Sequence, residues 1–375
     1  MGSLRREERQ VLTACTLVCK SWLPLAQRLL YRSVTVEIDF FRSPGTLNPE
    51  ALLQRPHLLG FTRSLSIIVR GKTPTLPLFS ENNSPKGGLK NIQIPAFFFL
   101  LAHTPRLRYL KLDGEQLEIA NIERHILDWL SSLVLPIEVL DISKGGPFRS
   151  TFVYDLVGIW PTIRALRTFG RFGPPAGRAS IRLRELRFAY SNDAVATATI
   201  EWLLPPPPPN EQSILRFLEL YGTIPEEART FLSVHGPSVS TLTLGCPPSF
   251  EFAHLFTKLE ELVIVGPIWT KSLSTFPRTL KHIRLQPHAK WSEVFMHFSR
   301  PFVATIAQEL HMLPDLRLIS IEKEFAVSEH YPDLQKACET HKVEILVSSS
   351  DSSGISVVSA CQRSQRQLSA MSTIH

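Results

Sequence analysis

Leu107-Arg-Tyr-Leu-Lys-Leu112 is the stretch on which the reading of this chain turns, because it recurs. The same phrase, apolar-x-x-apolar-x-apolar, returns as Ile137-Glu-Val-Leu-Asp-Ile142, Ile163-Arg-Ala-Leu-Arg-Thr168 and Leu183-Arg-Glu-Leu-Arg-Phe188. It continues as Leu215-Arg-Phe-Leu-Glu-Leu220, Val239-Ser-Thr-Leu-Thr-Leu244, Leu259-Glu-Glu-Leu-Val-Ile264, Leu280-Lys-His-Ile-Arg-Leu285 and Leu316-Arg-Leu-Ile-Ser-Ile321. Ser64-Leu-Ser-Ile-Ile-Val69 is a weaker copy ahead of the series, and Val343-Glu-Ile-Leu346 closes it. Alternating apolar residues place their side chains on one face of a strand. One six-residue strand cannot bury that face alone. Stacked copies form a parallel sheet whose apolar side is covered by the segments between them.

The fourth position of the phrase falls at 110, 140, 166, 186, 218, 242, 262, 283 and 319, so eight intervals cover 319 − 110 = 209 residues, a mean near 26. That lies inside the leucine-rich-repeat range of about 20–29. Single intervals run from 20 to 36, so the array is irregular. The expected fold class is α/β: an irregular leucine-rich-repeat solenoid with a parallel β-sheet over residues 55–347. Ile119–Leu133 and Pro225–Val234 have helical apolar spacing between copies. Gly114, Gly145, Gly170, Gly222, Gly245 and Gly266 punctuate strand ends. Residues 348–375 hold ten serines and few apolar side chains, which predicts a disordered tail. Pro205–Pro209 reads as a stiff spacer.

Residues 1–34 differ in texture. Val11, Cys15, Val18 and Trp22 are spaced as one helical stripe, and Pro24 suits the first turn of a second helix carrying Leu25, Leu29 and Leu30. Two such short helices must pack on the repeats, on a partner, or on both. The stretch Leu12-Thr-Ala-Cys-Thr-Leu-Val-Cys-Lys-Ser-Trp-Leu-Pro-Leu-Ala-Gln-Arg-Leu-Leu-Tyr-Arg-Ser-Val34 resembles the second part of an F-box, in the style of fungal F-box proteins with leucine-rich repeats. The resemblance implies a non-catalytic substrate receptor of an SCF-type ubiquitin ligase, with the Skp adaptor and the cullin scaffold as partners. It implies Leu12, Leu17, Val18, Cys19, Trp22, Leu30 and Tyr31 as the adaptor-binding residues. The family's leucine-proline opening is replaced by the charged run Arg5-Arg-Glu-Glu-Arg9. The alternative expectation is therefore a repeat scaffold whose truncated F-box no longer binds the Skp adaptor.

Formal charge is 41 − 34 = +7. Residues 1–34 carry +4 and the tail +1, leaving +2 for residues 35–347, which argues against a general polyanion or nucleic-acid binder. One local concentration stands out: seven arginines against Glu185 between Arg164 and Arg187. Arg164, Arg167, Arg184 and Arg187 take equivalent positions in successive copies. They are expected to face outward as one patch that reads an acidic or phosphorylated segment of a target protein.

No catalytic residue and no metal site is expected. GxGxxG, GxxxxGK[ST], HExxH and GxSxG are absent, the twelve histidines lack ligand spacing, and no cofactor is implied. The five cysteines are scattered without a CxxC pair, consistent with reduced thiols in a cytoplasmic or nuclear protein. The densest apolar run, Ile94–Ala102, contains a proline and is far short of the roughly 20 residues that span a membrane.

Overall fold

The computed structural model describes residues 6–18, 20–39, 52, 54–70, 100–117, 124–145, 152–168, 173–175, 177, 181–189, 194–221, 228–245, 252–265, 273–286, 303–327 and 329–348. The chain forms two compact units, one built on Ser3–Ala189 and Asp193–Pro205, the other on Pro206–His375 with Met1–Gly2 and Tyr190–Asn192.

In the amino-terminal unit, helices α1 (Arg6–Val18) and α2 (Leu23–Leu30) lead into strand β1 (Ser33–Asp39). There follow α3 (Pro56–Leu59), β2 (Ser64–Arg70), β3 (Tyr109–Leu117), α4 (Arg124–Ser132), β4 (Val139–Gly145), α5 (Phe152–Ile159), β5 (Ala165–Thr168), β6 (Glu185–Ala189) and α6 (Ala194–Leu203). Strands β1 to β6 pair in sequence order, every pair parallel. The carboxy-terminal unit repeats the plan with β7 (Phe217–Tyr221), α7 (Arg229–His235), β8 (Thr241–Gly245), β9 (Glu261–Val265), β10 (His282–Gln286), β11 (Leu318–Glu322), α8 (Lys323–Ala326), α9 (Tyr331–His341) and β12 (Glu344–Ser348). Its strands are likewise parallel and in sequence order. Parallel neighbours require a crossover between each pair, and the helices and loops between copies supply it.

The repeated phrase sets the register. Its fourth residues stand opposite one another, Leu110, Leu140, Leu166 and Leu186 in one unit and Leu218, Leu242, Leu262, Ile283 and Ile319 in the other. Ahead of them it is Leu65 that stands opposite Leu110, and not Ile67, the fourth residue of the weaker copy Ser64–Val69. All are buried, as are the first residues Leu107, Ile137, Ile163, Leu183, Leu215, Val239, Leu259, Leu280 and Leu316. Polar residues just ahead of the phrase tie one copy to the last. The hydroxyls of Thr162, Ser238 and Thr279 each donate, at 2.8 Å, to the carbonyl of Ile137, Leu215 and Leu259, the first apolar residue of the preceding copy. Each such bond satisfies a backbone acceptor that the turn into the strand would otherwise leave open.

Two expectations shift at the ends of the array. The first strand is β1, not a copy near residue 64: Val34 pairs with Leu65 and is buried with Val36. Tyr31-Arg-Ser-Val-Thr-Val36 is thus a repeat copy with Tyr31 in the first apolar place, and a boundary at 34 falls inside its strand. At the other end it is Ile345, not Leu346, that stands opposite Ile319, and Leu346 is exposed. An edge strand has a neighbour on one side only among the described residues, so its apolar pattern is less tightly set.

Among the described residues the two expected helices are seen over Arg124–Ser132 and Arg229–His235, and residues 119–123 and 225–227 of the expected spans lie outside the described residues. The proline run leads into a turn in which the Glu211 N–H donates to the Pro208 carbonyl and Asn210 takes φ 71°, a conformation that asparagine tolerates. The Ser-rich tail beyond Ser348 lies outside the described residues. No helix among the described residues is long and apolar enough to cross a membrane.

Gly245 has a packing role beyond punctuation. It ends β8 opposite Tyr221 of β7, and a methyl at its Cα would overlap the Tyr221 ring. Gly245→Ala is expected to lower stability by about 1–2 kcal/mol through overpacking. Chemical denaturation of the variant should show the loss, and adding Tyr221→Ala should recover part of it. An unchanged denaturation midpoint would mean that the ring moves aside freely.

Candidate functional site

The sheet face opposite the apolar core carries polar residues in register, and its charges are mostly internal to the chain. In the amino-terminal unit Asp141, Arg167 and Arg187 occupy one row across β4, β5 and β6. Asp141 is 4% exposed, accepts a hydrogen bond from the Tyr109 hydroxyl at 3.1 Å through Oδ2, and lies 3.8 Å from Arg167 Nη1. A buried carboxylate needs such partners. Arg187 is only 6% exposed. The expected outward patch of four guanidiniums is therefore corrected. Arg167 has Asp141 as counter-charge, Arg187 is buried, and only Arg164 and Arg184 are exposed.

The split follows from strand parity. Arg167 and Arg187 lie within β5 and β6, beside Leu166 and Leu186 and on the opposite face from them. Arg164 and Arg184 precede the strands by one residue. There the chain is entering the sheet, and the Arg164 carbonyl accepts from the N–H groups of both Arg184 and Glu185 at 2.7 and 3.1 Å. Equivalent places in the phrase are not equivalent faces of one strand.

In the carboxy-terminal unit the same face brings together three residues far apart in sequence. His282 Nε2 shares a hydrogen bond of 2.8 Å with Ser320 Oγ, and His282 Nδ1 lies 3.4 Å from Glu261 Oε1. Arg284 Nη2 is 4.0 Å from the same Glu261 oxygen. No motif search finds this trio, because three parallel strands assemble it. It has the connectivity of a nucleophile, a base and an orienting acid. The surroundings do not complete it. Ser320 is 4% exposed, and β11 is paired on both sides, so its N–H groups serve neighbouring strands instead of an oxyanion hole. The trio acts as a polar ladder that satisfies half-buried side chains.

Among the adaptor-binding residues implied by the sequence, Leu12, Leu30 and Tyr31 are half-buried, and Trp22 is 60% exposed. Cys19 and the side chains of Leu17 and Val18 lie outside the described residues. The expected single stripe from Val11 to Trp22 is broken. α1 ends at Val18, and Trp22 sits at the start of α2, where Pro24 opens a new helix. Trp22 instead aligns with Leu25 and Leu29, spaced three and four residues apart, and Leu25 is 62% exposed. Ala26 on the other side is buried, and Tyr31 offers its carbonyl to the Thr62 hydroxyl at 2.9 Å. One side of α2 thus anchors the helix to the array while the other presents apolar surface.

No group of three or more His, Cys, Asp or Glu side chains suited to a metal ion occurs among the described residues. Comparison with family models and with curated proteins finds no match.

Proposed function

We propose that this chain is a substrate-recognition adaptor of an SCF-type ubiquitin ligase: an F-box-like helical segment joined to leucine-rich repeats that hold a target protein. The observation that carries the reading is the exposed Trp22–Leu25–Leu29 stripe on a helix whose opposite side is packed directly ahead of a parallel repeat array. Trp22 and Leu25 lie mostly in water, Leu29 borders them at 38% exposure, and large exposed side chains of this kind are the anchors of protein interfaces. The repeat array supports the rest, since stacked strands offer an extended recognition surface. In this role the chain is non-catalytic, binds the Skp adaptor through α1 and α2, reaches the cullin scaffold through it, and works in the cytoplasm or nucleus.

Trp22→Ala is expected to weaken Skp adaptor binding about 30-fold, the equivalent of ~2 kcal/mol at an interface anchor. Because the side chain is exposed, the melting temperature of the free chain should stay within about 1 °C. Co-purification of the Skp adaptor and cullin with the full chain, followed by titration of the variant, checks both. Leu25→Ala with Leu29→Ala is the second variant, expected to act in the same direction. A wild-type chain that captures neither protein is a repeat scaffold and no ligase component.

A further inference from the structure

The residue just before each strand is held by an unusual backbone arrangement: its carbonyl accepts from two consecutive N–H groups of the next copy. Arg32, Arg63, Arg108, Glu138 and Arg164 each do this in the amino-terminal unit, and Arg184 follows in the same place. Their backbones are fixed by these bonds and their side chains project from the leading edge of the sheet. Consecutive members are one strand apart, ~4.8 Å, so the row from Arg32 to Arg184 runs about 24 Å.

All five arginines are exposed. Only Arg108 has an ion pair, 3.2 Å to Glu138, and both groups are about half in water. For Arg32, Arg63, Arg164 and Arg184 no side-chain partner occurs among the described residues. Like charges in adjacent copies repel, so the row is a small cost to the free protein.

The same place in the carboxy-terminal unit shows that the fold does not demand arginine there. It holds Arg216, Ser240, Glu260, Lys281 and Arg317. That row holds three cations and one carboxylate: Lys281 Nζ lies 2.7 Å from Glu260 Oε1, and Arg216 Nη1 donates to the Ser238 carbonyl at 3.2 Å. The carboxy-terminal edge carries a net +2 with two of its three cations engaged, whereas the amino-terminal edge carries +4 with four cations that have no side-chain partner among the described residues.

We infer that the row Arg32–Arg63–Arg108–Arg164–Arg184 is a docking edge for an extended acidic peptide segment of a partner protein. This deepens the adaptor reading and rests on it only in taking the partner to be a ligase target. An extended peptide advances about 3.4 Å per residue, so roughly seven residues span the row, with every second side chain turned to it. Arginine forks grip carboxylate or phosphate with two parallel hydrogen bonds. Glu138 in the middle favours a peptide over a nucleic-acid strand. A peptide can place a neutral or basic side chain opposite it, whereas a uniform phosphate backbone meets repulsion there. Base stacking also needs exposed aromatic platforms. Tyr31 and Tyr109, which adjoin the row at Arg32 and Arg108, are both half-buried, and the Tyr109 hydroxyl is on Asp141.

The test uses the full chain and a labelled ten-residue peptide of alternating Glu and Ser. Its serine-phosphorylated form and an oligonucleotide of equal length are the other arms. Wild-type protein is expected to bind the acidic peptide, more tightly when phosphorylated, and to hold the oligonucleotide less well than either. Arg32→Gln, Arg63→Gln, Arg164→Gln and Arg184→Gln combined should weaken peptide binding at least 10-fold. Arg216→Gln with Arg317→Gln, the same place in the other unit, should change it less than twofold. Arg164→Glu with Arg184→Glu should gain binding to a Lys-Ser peptide, which guards against a variant that has merely lost its fold. Equal losses in both rows, no peptide binding by wild-type protein, or tighter binding of the oligonucleotide each overturns the inference. Skp adaptor capture is measured on the same proteins. Capture without peptide binding sinks the docking edge alone, and peptide binding without capture sinks the ligase reading alone.

Discussion

Phe188→Ala is expected to lower the stability of the amino-terminal unit by about 3–5 kcal/mol, the largest effect of any single substitution considered for this protein. Phe188 closes the phrase Leu183-Arg-Glu-Leu-Arg-Phe188, lies in β6 opposite Thr168 of β5, and is 0% exposed, among the bulkiest side chains so fully buried. Truncation removes the transfer free energy of a whole ring and leaves a cavity. The strands on which its neighbours stand cannot close around that cavity without breaking the parallel ladder. In a repeat array each copy contacts mainly its neighbours, so the loss should appear as an early transition of this unit in chemical denaturation, not as a uniform shift. Phe188→Leu should recover more than half. A variant as stable as the wild-type chain would mean that the β6 region collapses easily and that the core is looser than its burial indicates.

Asp141→Ala is expected to cost about 2–3 kcal/mol, less than the 3–5 of a fully buried ion pair that loses one partner. The discount follows from Arg167, whose side chain keeps 30% of its exposure and can recover some hydration. The Tyr109 hydroxyl loses the same acceptor. Asp141→Asn separates the two contributions, since an amide oxygen still receives the Tyr109 hydrogen bond while the charge is gone. It should fall between wild type and Asp141→Ala. Because Asp141 is buried, added salt should barely change the loss. A neutral Asp141→Ala would show that Arg167 does not depend on this counter-charge.

These two substitutions mark where the sequence was legible and where it was not. Phe188 is readable as core from its place in the phrase alone, because burial there follows from alternation, and alternation is local. Asp141 and Arg167 are not, since no spacing relates residues 26 positions apart. They meet because parallel pairing puts them on neighbouring strands with no register offset. The same reason hides the Glu261–His282–Ser320 ladder. The charge count along the chain found the arginine concentration at 164–187 but grouped it by phrase position. It missed Arg32, whose copy reads as part of the helical segment, and Arg63, which stands just ahead of a copy whose pattern reads two residues out of register.

The sequence by itself determined the repeat and its parallel strands, because a periodic apolar phrase too short to bury its own face has stacking as its outcome. It also placed a tryptophan-bearing helical segment ahead of them. Only the tertiary structure decided which polar side chains are open. Exposure depends on what stands one strand away, and there Arg167 finds Asp141, whereas Glu138, one strand from Arg164, is paired with Arg108. It likewise decided that Trp22, Leu25 and Leu29 face water, because Ala26 on the other side of α2 is the one that packs.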